Sequence, residues 1–416
     1  MQPMLMFNQI PLIKLIQFMH QIIMISKSIF TSFLFLICIS NAIATPYIPS
    51  SLEQVLETIP SNASIASKEF KNLRIALNAK PNNPELATQL AEKFIERSRI
   101  EGDPRYLGYA QAVLAPWWKM NEAPVKVMVL RATLLQSTHH FDESLADLDR
   151  VLKLDPKNGQ AWVTRATILQ VQGKYAEAYA SCEHLYRLTS NLITVTCATN
   201  IRNLNGQAAS SYQKLKNVYA ESKETNPTIQ VWVLTLLAEM AVRQGDNNAA
   251  DHYFQQAIKV QDPDSYLLGA YSDFLLDQKR PQEVIRLLKS KTKIDALLLR
   301  YAEALSASNS LEIALQTETL KQRFAAALLR RDTVHQREYS RFELRLMHNP
   351  IRALQIARQN WEVQKEPADV RVYLEAALAA KDKVAMQTIM QWLMTKKLED
   401  VTLDKIVQNY KSASTS

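Results

Sequence analysis

Apolar residues recur along this chain at helical spacing, interrupted by short polar turns, and the blocks so formed themselves repeat. When residues 125–158 are set above residues 159–192, at an offset of 34, Arg131 falls on Arg165, Ala132 on Ala166, Thr133 on Thr167, Leu135 on Leu169, Gln136 on Gln170, Glu143 on Glu177 and Leu154 on Leu188. Each copy has one helical pattern, a polar turn, and a second pattern opening at Phe141-Asp142-Glu143-Ser144 or Tyr175-Ala176-Glu177-Ala178. The unit is a helical hairpin at fixed pitch. A copy from about Leu192 keeps Gly206 at its turn, and one from Val231 carries Leu234, Leu237, Ala238, Gly245, Ala250, Phe254, Ala257 and then Pro263. Further pairs are predicted over 265–291, broken at Arg280-Pro281, and over 294–331, broken at Ser308-Asn309-Ser310. Two more follow over 334–361, turning at Asn349-Pro350, and over 367–397, turning near Lys381-Asp382. Ahead of the clear copies, 84–118 pairs around Gly102-Asp103-Pro104, with a single helix over 68–79 before it. Nearly every interior proline falls at such a junction, where a missing amide donor costs least.

Composition narrows the fold. Seven glycines in 416 residues are too few for the phosphate-cradling loops and tight turns of α/β enzymes or β-sandwiches. Ala, Leu, Gln, Glu, Lys and Arg, which lose least on entering a helix, dominate instead. The chain reads as all-α. Its N-terminus reads as a targeting segment: Lys27, an apolar run from Ile29 to Ile39, and Ala42-Ile43-Ala44 before Thr45-Pro46 lay out a secretory signal over 1–44, with Met24 opening one of ordinary size. An uncleaved anchor is the alternative, since apolar residues reach back to Ile10, although Lys14 and His20 interrupt them. Phe35-Leu36-Ile37 puts bulky residues where a lipid-attachment signal at Cys38 wants small ones. Export leaves Cys182 and Cys197 in an oxidising compartment, where they read equally as a disulfide or as two buried thiols.

The hairpin unit resembles the tetratricopeptide repeat, whose 34-residue motif wants small residues at positions 8 and 20 and large ones at 4, 11, 17 and 24, often with proline at 32. The copy from Val125 has Met128, Ala132, Leu135, Phe141, Ser144, Leu148 and Pro156 at those places. The next has Trp162, Ala166, Leu169, Tyr175, Ala178 and Cys182, but Ser190 in place of the proline. The resemblance implies a right-handed superhelical solenoid in which small side chains let paired helices approach and large ones fill the space between pairs. It puts Cys182 and Cys197 on faces of adjacent repeats that pack together, and so implies a disulfide. It places Arg131 and Arg165 at position 7, as guanidiniums snorkelling over a concave groove. It also implies that the groove is lined by Thr133, Gln136, Thr167, Gln170, Asn200, Asn203, Trp232, Glu239 and Arg243, a mostly uncharged lining suited to an extended peptide. The family's cluster of Lys, Arg and Asn around a C-terminal carboxylate is matched by Asn200 alone.

Motifs for catalysis are missing: no His-Glu-x-x-His, no Gly-x-Ser-x-Gly, no phosphate loop and no Cys-x-x-Cys occurs. His139-His140, beside Asp142 and Glu143, is read as a solvated turn and not a metal site, and Trp117-Trp118 as a plug between repeats. The sequence pI is about 9.2, and Arg323, Arg330, Arg331, Arg337, Arg341 and Arg345 recur at helical intervals in the C-terminal half. They read as a solvated face or as a surface for an acidic partner, an anionic lipid or an anionic glycan.

The expected organisation is therefore a helical lead-in over 45–83, repeats over 84–263 with the best copies at 125–158, 159–192 and 231–263, degenerate pairs over 264–397, and a cap helix with a disordered tail over 398–416. The expected function is a non-catalytic scaffold or assembly factor of the bacterial envelope. It would be periplasmic, bind another protein or a peptide segment in the groove, and use no cofactor, metal or nucleic acid. The alternatives are a peripheral module docking on anionic lipid or cell-wall polymer through the Arg-rich half, and an inner-membrane anchor facing the periplasm.

Overall fold

A computed structural model of the chain describes residues 65–330 and 334–415. The signal over 1–44, with Met24 and Cys38, and the first part of the lead-in lie outside those residues. Twenty α-helices and no strand are found among them. Helix α1 (Ile65–Ala79) leads in. Nine hairpins follow: α2 (Pro84–Glu101) with α3 (Arg105–Val113), α4 (Val125–Ser137) with α5 (Phe141–Leu154), α6 (Gly159–Val171) with α7 (Tyr175–Glu183), and α8 (Asn191–Asn203) with α9 (Ala208–Glu221). The series continues with α10 (Pro227–Gln244) and α11 (Asn247–Val260), α12 (Ser265–Asp277) and α13 (Pro281–Leu288), α14 (Asp295–Ala307) and α15 (Ile313–Leu329). It ends with α16 (Gln336–Arg345) and α17 (Pro350–Val363), α18 (Pro367–Ala379) and α19 (Lys383–Lys396), and the cap α20 (Val401–Thr415). No helix of the described residues is long and apolar enough to cross a membrane.

Local chemistry sets the boundaries. Side chains of Asn83, Asn158, Ser190, Asn226 and Asp264 accept a backbone N–H at the start of a first helix, and Asp246, Asn349 and Asp382 do so at the start of a second. Each supplies one acceptor to the unpaired amides of a helix N-terminus. The turn inside every hairpin passes through one left-handed residue: Gly102, His139, Gly173, Gly206, Gly245, Lys279, Asn309, His348 and Lys381. His139 thus serves the turn and stacks on Phe141, while His140 Nδ1 lies 3.0 Å from Thr138 Oγ1.

Small residues bring the paired helices together. Ser144 on α5 donates to the Ala132 carbonyl on α4 at 2.7 Å, and Ser340 on α16 donates to the Ala353 carbonyl on α17 at 2.8 Å. A side-chain hydroxyl reaches the neighbouring backbone only when two helices touch. Met128, Leu148, Leu169 and Leu185 are fully buried between pairs, each worth roughly 1.5–3 kcal/mol of apolar burial. Arg131 departs from expectation, because it does not snorkel over the groove. It is buried against Asp147 through bonds of 2.6 and 2.7 Å, and it also donates to the carbonyls of Trp117, Trp118 and Met120. Arg165, one repeat on, reaches Ser181 at 2.8 Å, the residue in Asp147's place. Position 7 therefore ties first helix to second, because a guanidinium inside the pair meets fixed acceptors there.

Two features decide the shape. Each first helix touches the next first helix, whereas second helices do not contact one another comparably. The even-numbered helices α2 to α18 therefore form the inner wall. The coil also closes on itself. The turn of α6/α7 meets Trp392 and Lys365 at Gly173, with the Lys365 amide donating to the Val171 carbonyl at 2.7 Å. The next turns rest on Lys397 at Gly206 and on Val401 at Gly245, and Asp277 at the end of α12 takes Arg371 in two bonds of 2.6 and 2.7 Å. A Cβ at Gly206 would lie 3.0 Å from that of Lys397, and one at Gly102 would run into the Ile294 side chain. One hydrophobic cluster accordingly joins Ala166–Leu204 to Ala353–Leu403. Ile406, Val407 and Tyr410 of α20 pack against it, and α20 runs on to Thr415. The tail expected to be disordered continues this helix to Thr415, with Lys411 and Ser412 exposed beyond the last packed residue, Tyr410.

Candidate functional site

The inner wall is the concave surface on which a ligand could lie, and its two halves differ in chemistry. Along α4, α6 and α8 it is mostly uncharged, Lys126 at the start of α4 pairing with Glu85 on α2 at 2.8 Å. Thr133 and Thr167 return their hydroxyls to the carbonyls of Val129 and Val163 on their own helices. Asn200 donates to Gln170 across adjacent hairpins at 2.8 Å. Gln136, Thr167, Gln170, Asn200 and Trp232 are each half-buried. Asn203 and Arg243 depart from the expected lining: both are buried, Arg243 Nε donates to Asn203 Oδ1 at 2.8 Å, and Asn203 Nδ2 holds the Ala208 carbonyl. A polar pair at successive first helices is dry there because the coil has tightened over it.

From α10 to α18 the wall is charged, and the charges sort into two groups. In the first, Arg341 grips Glu303 through bonds of 2.6 and 2.7 Å and lies 2.7 Å from Asp273. Arg300 also takes Asp273, Arg345 takes Glu303 and Glu375, and Arg371 takes Glu375 and Asp277. Four guanidiniums answer four carboxylates. Burial alone would raise the Asp273 carboxyl, but Arg300 and Arg341 hold it well below the usual range. Glu303 and Glu375 are likewise held down against burial by their arginines.

The second group lies between α10 and the start of α18. Arg337 is shared by Glu338 at 3.2 Å, Glu366 at 3.2 Å and Asp369 at 3.5 Å. Asp369 is otherwise well served, by Asn360 and the Glu366 amide. Glu239 has the Tyr266 hydroxyl at 2.8 Å. Burial raises Glu239, Asp369 and Asp400, and pushes Glu366 to about 7 against the pull of Arg337, with Asp369 and Glu239 adding to the rise. Only Glu338, beside both Arg337 and Arg300, is drawn down, to about 2. Tyr266 is 56% exposed, yet burial and the nearby Glu239 and Glu366 push its hydroxyl well up. Tyr266, Arg337, Glu366 and Asp369 were missed as wall residues in the sequence. Tyr266 stands at position 2 of a degenerate copy, the one signal that pointed inward.

The Arg-rich half is thus not a basic surface. Arg337, Arg341 and Arg345 are consumed by carboxylates inside the coil, and Arg323 caps the carbonyls of Thr292 and Lys293 beside Asp295. Arg330 is exposed, and Arg331 lies outside the described residues. Curvature turns this helix face inward, which periodicity alone does not show.

The titrating groups give a sign to the pH dependence of stability. Glu366 keeps its proton up to about 7 in the folded chain, whereas unfolded it loses it near the ordinary carboxylate value of about 4.3. Between those values the folded state binds more protons, so stability falls as pH rises through that window. Glu338, at about 2, acts the other way: its contribution is lost as pH falls towards 2. Scanning calorimetry is expected to show the highest Tm at about pH 4.5, with lower values at about pH 8 and about pH 3. A Tm still rising to pH 8 would show that the carboxylates of the second group are not crowded.

The tetratricopeptide-repeat family model matches residues 129–192, the span of two hairpins from within α4 to the start of α8. These two hairpins match the tetratricopeptide repeat. Tetratricopeptide folds are found among the similar solved structures. A tetratricopeptide repeat protein from Parabacteroides merdae is 15% identical, with 62% of this chain and 91% of that one covered and a TM-score of 0.40. Human IFIT1, solved as a dimer with m7Gppp-AAAA, is 14% identical over 84% of this chain and 86% of that one, with a TM-score of 0.45. Yeast Tom70 is 14% identical over 78% and 62%, with a TM-score of 0.33. No curated protein matches the chain. The hairpins outside 129–192 repeat the same pairing of helices.

Proposed function

We propose that the chain is a non-catalytic scaffold of the bacterial envelope that holds a segment of another protein along its inner wall. The observation that supports this is the run of half-buried, uncharged side chains on successive first helices, Gln136, Thr167, Gln170, Asn200 and Trp232. Side-chain amides and hydroxyls at such intervals pair with the backbone of an extended chain, while Trp232 gives an apolar residue a flat surface. A polyanion such as nucleic acid finds no such support, since the charged part of the wall carries more carboxylates than guanidiniums.

Site-specific photocrosslinking in the native cell tests the reading. A benzoylphenylalanine at Gln136 or Gln170 is expected to yield one discrete protein adduct, and one at the exposed Lys216 of α9 none. Adducts from the outer position alone would overturn it. Export is tested separately: the mature chain should begin at Thr45.

A further inference from the structure

The edge of the solenoid opposite the hairpin turns, where each second helix ends, is uneven at one place. There the shortest second helix, α13 with 8 residues, is followed by the longest, α15 with 17. Arg323 fixes the level of α15, because its Nη1 donates to the carbonyls of Thr292 and Lys293 and pairs with Asp295 at 2.7 Å, all at the start of α14. α15 runs antiparallel to α14 and continues from Arg323 to Leu329, a further rise of about 9 Å. Its last turn therefore projects past the point where α14 begins. Only Leu320 and Phe324 of α15 are buried. Leu328 is 47% and Leu329 87% exposed, and Arg330 behind them is exposed as well. Two adjacent leucines held out in water contribute nothing to the packing of the coil.

The space beyond the short α13 is taken by a basic run. Lys289, Lys291 and Lys293 alternate along the segment that leads to Ile294, with no acid among them. The acids nearby are engaged: Asp262 lies 3.8 Å from Lys291, and Asp295 is taken by Arg323. The turn of α2/α3 meets Ile294 at Gly102, and its carboxylates are engaged too, Glu101 by Arg97 and Asp103 by Arg105. Lys289, Lys293 and Arg330 are thus exposed with no ion pair among the described residues.

We propose that this edge is a docking surface for an anionic phospholipid bilayer, with Leu328 and Leu329 entering the interface and Lys289, Lys293 and Arg330 meeting headgroup phosphates. Shape and charge together select that occupant. The apolar part is a protruding tip and not a groove, and a tip is accepted by a yielding surface that needs no preformed pocket. The cations around it call for an extended layer of negative charge. A bilayer supplies both, and each part alone is a weak anchor. The inference does not depend on what the inner wall holds, since that wall is built by first helices and this surface by the end of a second helix and the segment after another.

Co-sedimentation of the purified mature chain with sucrose-loaded vesicles tests the surface. On vesicles of phosphatidylglycerol and phosphatidylcholine in equal parts, binding is expected to be about tenfold or more stronger than on phosphatidylcholine alone, and to fall as salt rises. The variant Lys289→Glu/Lys293→Glu/Arg330→Glu should lose that tenfold, whereas Leu328→Ser/Leu329→Ser should weaken binding about tenfold and keep its salt dependence. Lys214→Glu/Lys216→Glu, at exposed positions of α9, should bind as wild type does. Every altered side chain is exposed, so circular dichroism and Tm should match wild type throughout. Equal binding to neutral vesicles, or full binding by the charge-reversed variant, overturns the docking surface. Full binding by the serine variant overturns it too, and soluble polyphosphate then binding as tightly would make the edge a site for a soluble anion. Absence of crosslinks at Gln136 and Gln170 counts against the inner-wall reading and leaves this surface standing.

Discussion

Replacing Arg341 by methionine is expected to destabilise the chain by ~3–5 kcal/mol, read as a lower urea midpoint at unchanged m-value. The guanidinium is 8% exposed and neutralises two carboxylates at once, Glu303 through bonds of 2.6 and 2.7 Å and Asp273 at 2.7 Å. Removing it strands both where water cannot replace it, and Arg300 and Arg345 each recover only part of the loss. The triple change Arg341→Met/Glu303→Gln/Asp273→Asn should regain much of the stability, since an uncharged core of similar volume costs far less than an unpaired buried charge. Breaking the exposed pair Lys126 with Glu85, 2.8 Å apart, should by contrast cost about 0–1 kcal/mol. If Arg341→Met changes stability as little as the exposed pair does, the charged wall is solvated and the lumen is not the tight channel described here.

The second large effect belongs to the disulfide. Cys182 on α7 and Cys197 on α8 are bonded, with Cα atoms 5.6 Å apart and a sequence separation of 15. The bond sits where the solenoid is locally short of helix. Second helices α5, α9 and α11 have 14 residues each, whereas α7 has 9 and then gives way to turns before Ser190. The bond and the buried Leu185 both join the core between these two hairpins. Closing a loop of this size is worth about 3 kcal/mol, mostly through the unfolded chain. Reduction, or Cys182→Ala/Cys197→Ala, should lower the Tm by several degrees with the helical content unchanged at low temperature. Two titratable thiols in the protein taken from its native compartment, or equal Tm with and without reductant, would show that the link plays no such part.

The hairpins were legible in the chain because their signals are local. An Asn, Asp or Ser cap, a proline at a helix start and an apolar stripe each act within a few residues, so the breaks at Arg280-Pro281, Asn349-Pro350 and Lys381-Asp382 fall where expected. The turns were legible only in part. Gly102, Gly173, Gly206 and Gly245 announce a left-handed residue, but His139, Lys279, Asn309, His348 and Lys381 adopt the same conformation with a side chain and look like ordinary polar turn. Fixed geometry on both sides over-determines them.

The wall chemistry was not legible, and Arg131 and Arg341 show why. Both stand on helix faces that periodicity marks as polar, and polar reads as solvated. Arg131 finds its partner 16 residues away inside the same hairpin, a spacing that recurs between Arg165 and Ser181 and that repeat alignment could expose. Arg341 finds Glu303 at a separation of 38, and Arg371 finds Asp277 at 94, which no local pattern encodes. By itself, then, the sequence determined the helices, their pairing, the pitch of the repeat and the proximity of Cys182 to Cys197, since each follows from interactions within one or two hairpins. Only the tertiary structure decided that the coil closes on itself, that the arginines of the C-terminal half turn inward, and that Arg371 meets Asp277 across the coil. Those outcomes depend on small rotations between successive hairpins summed over the array, and the sum brings together residues that no single repeat contains.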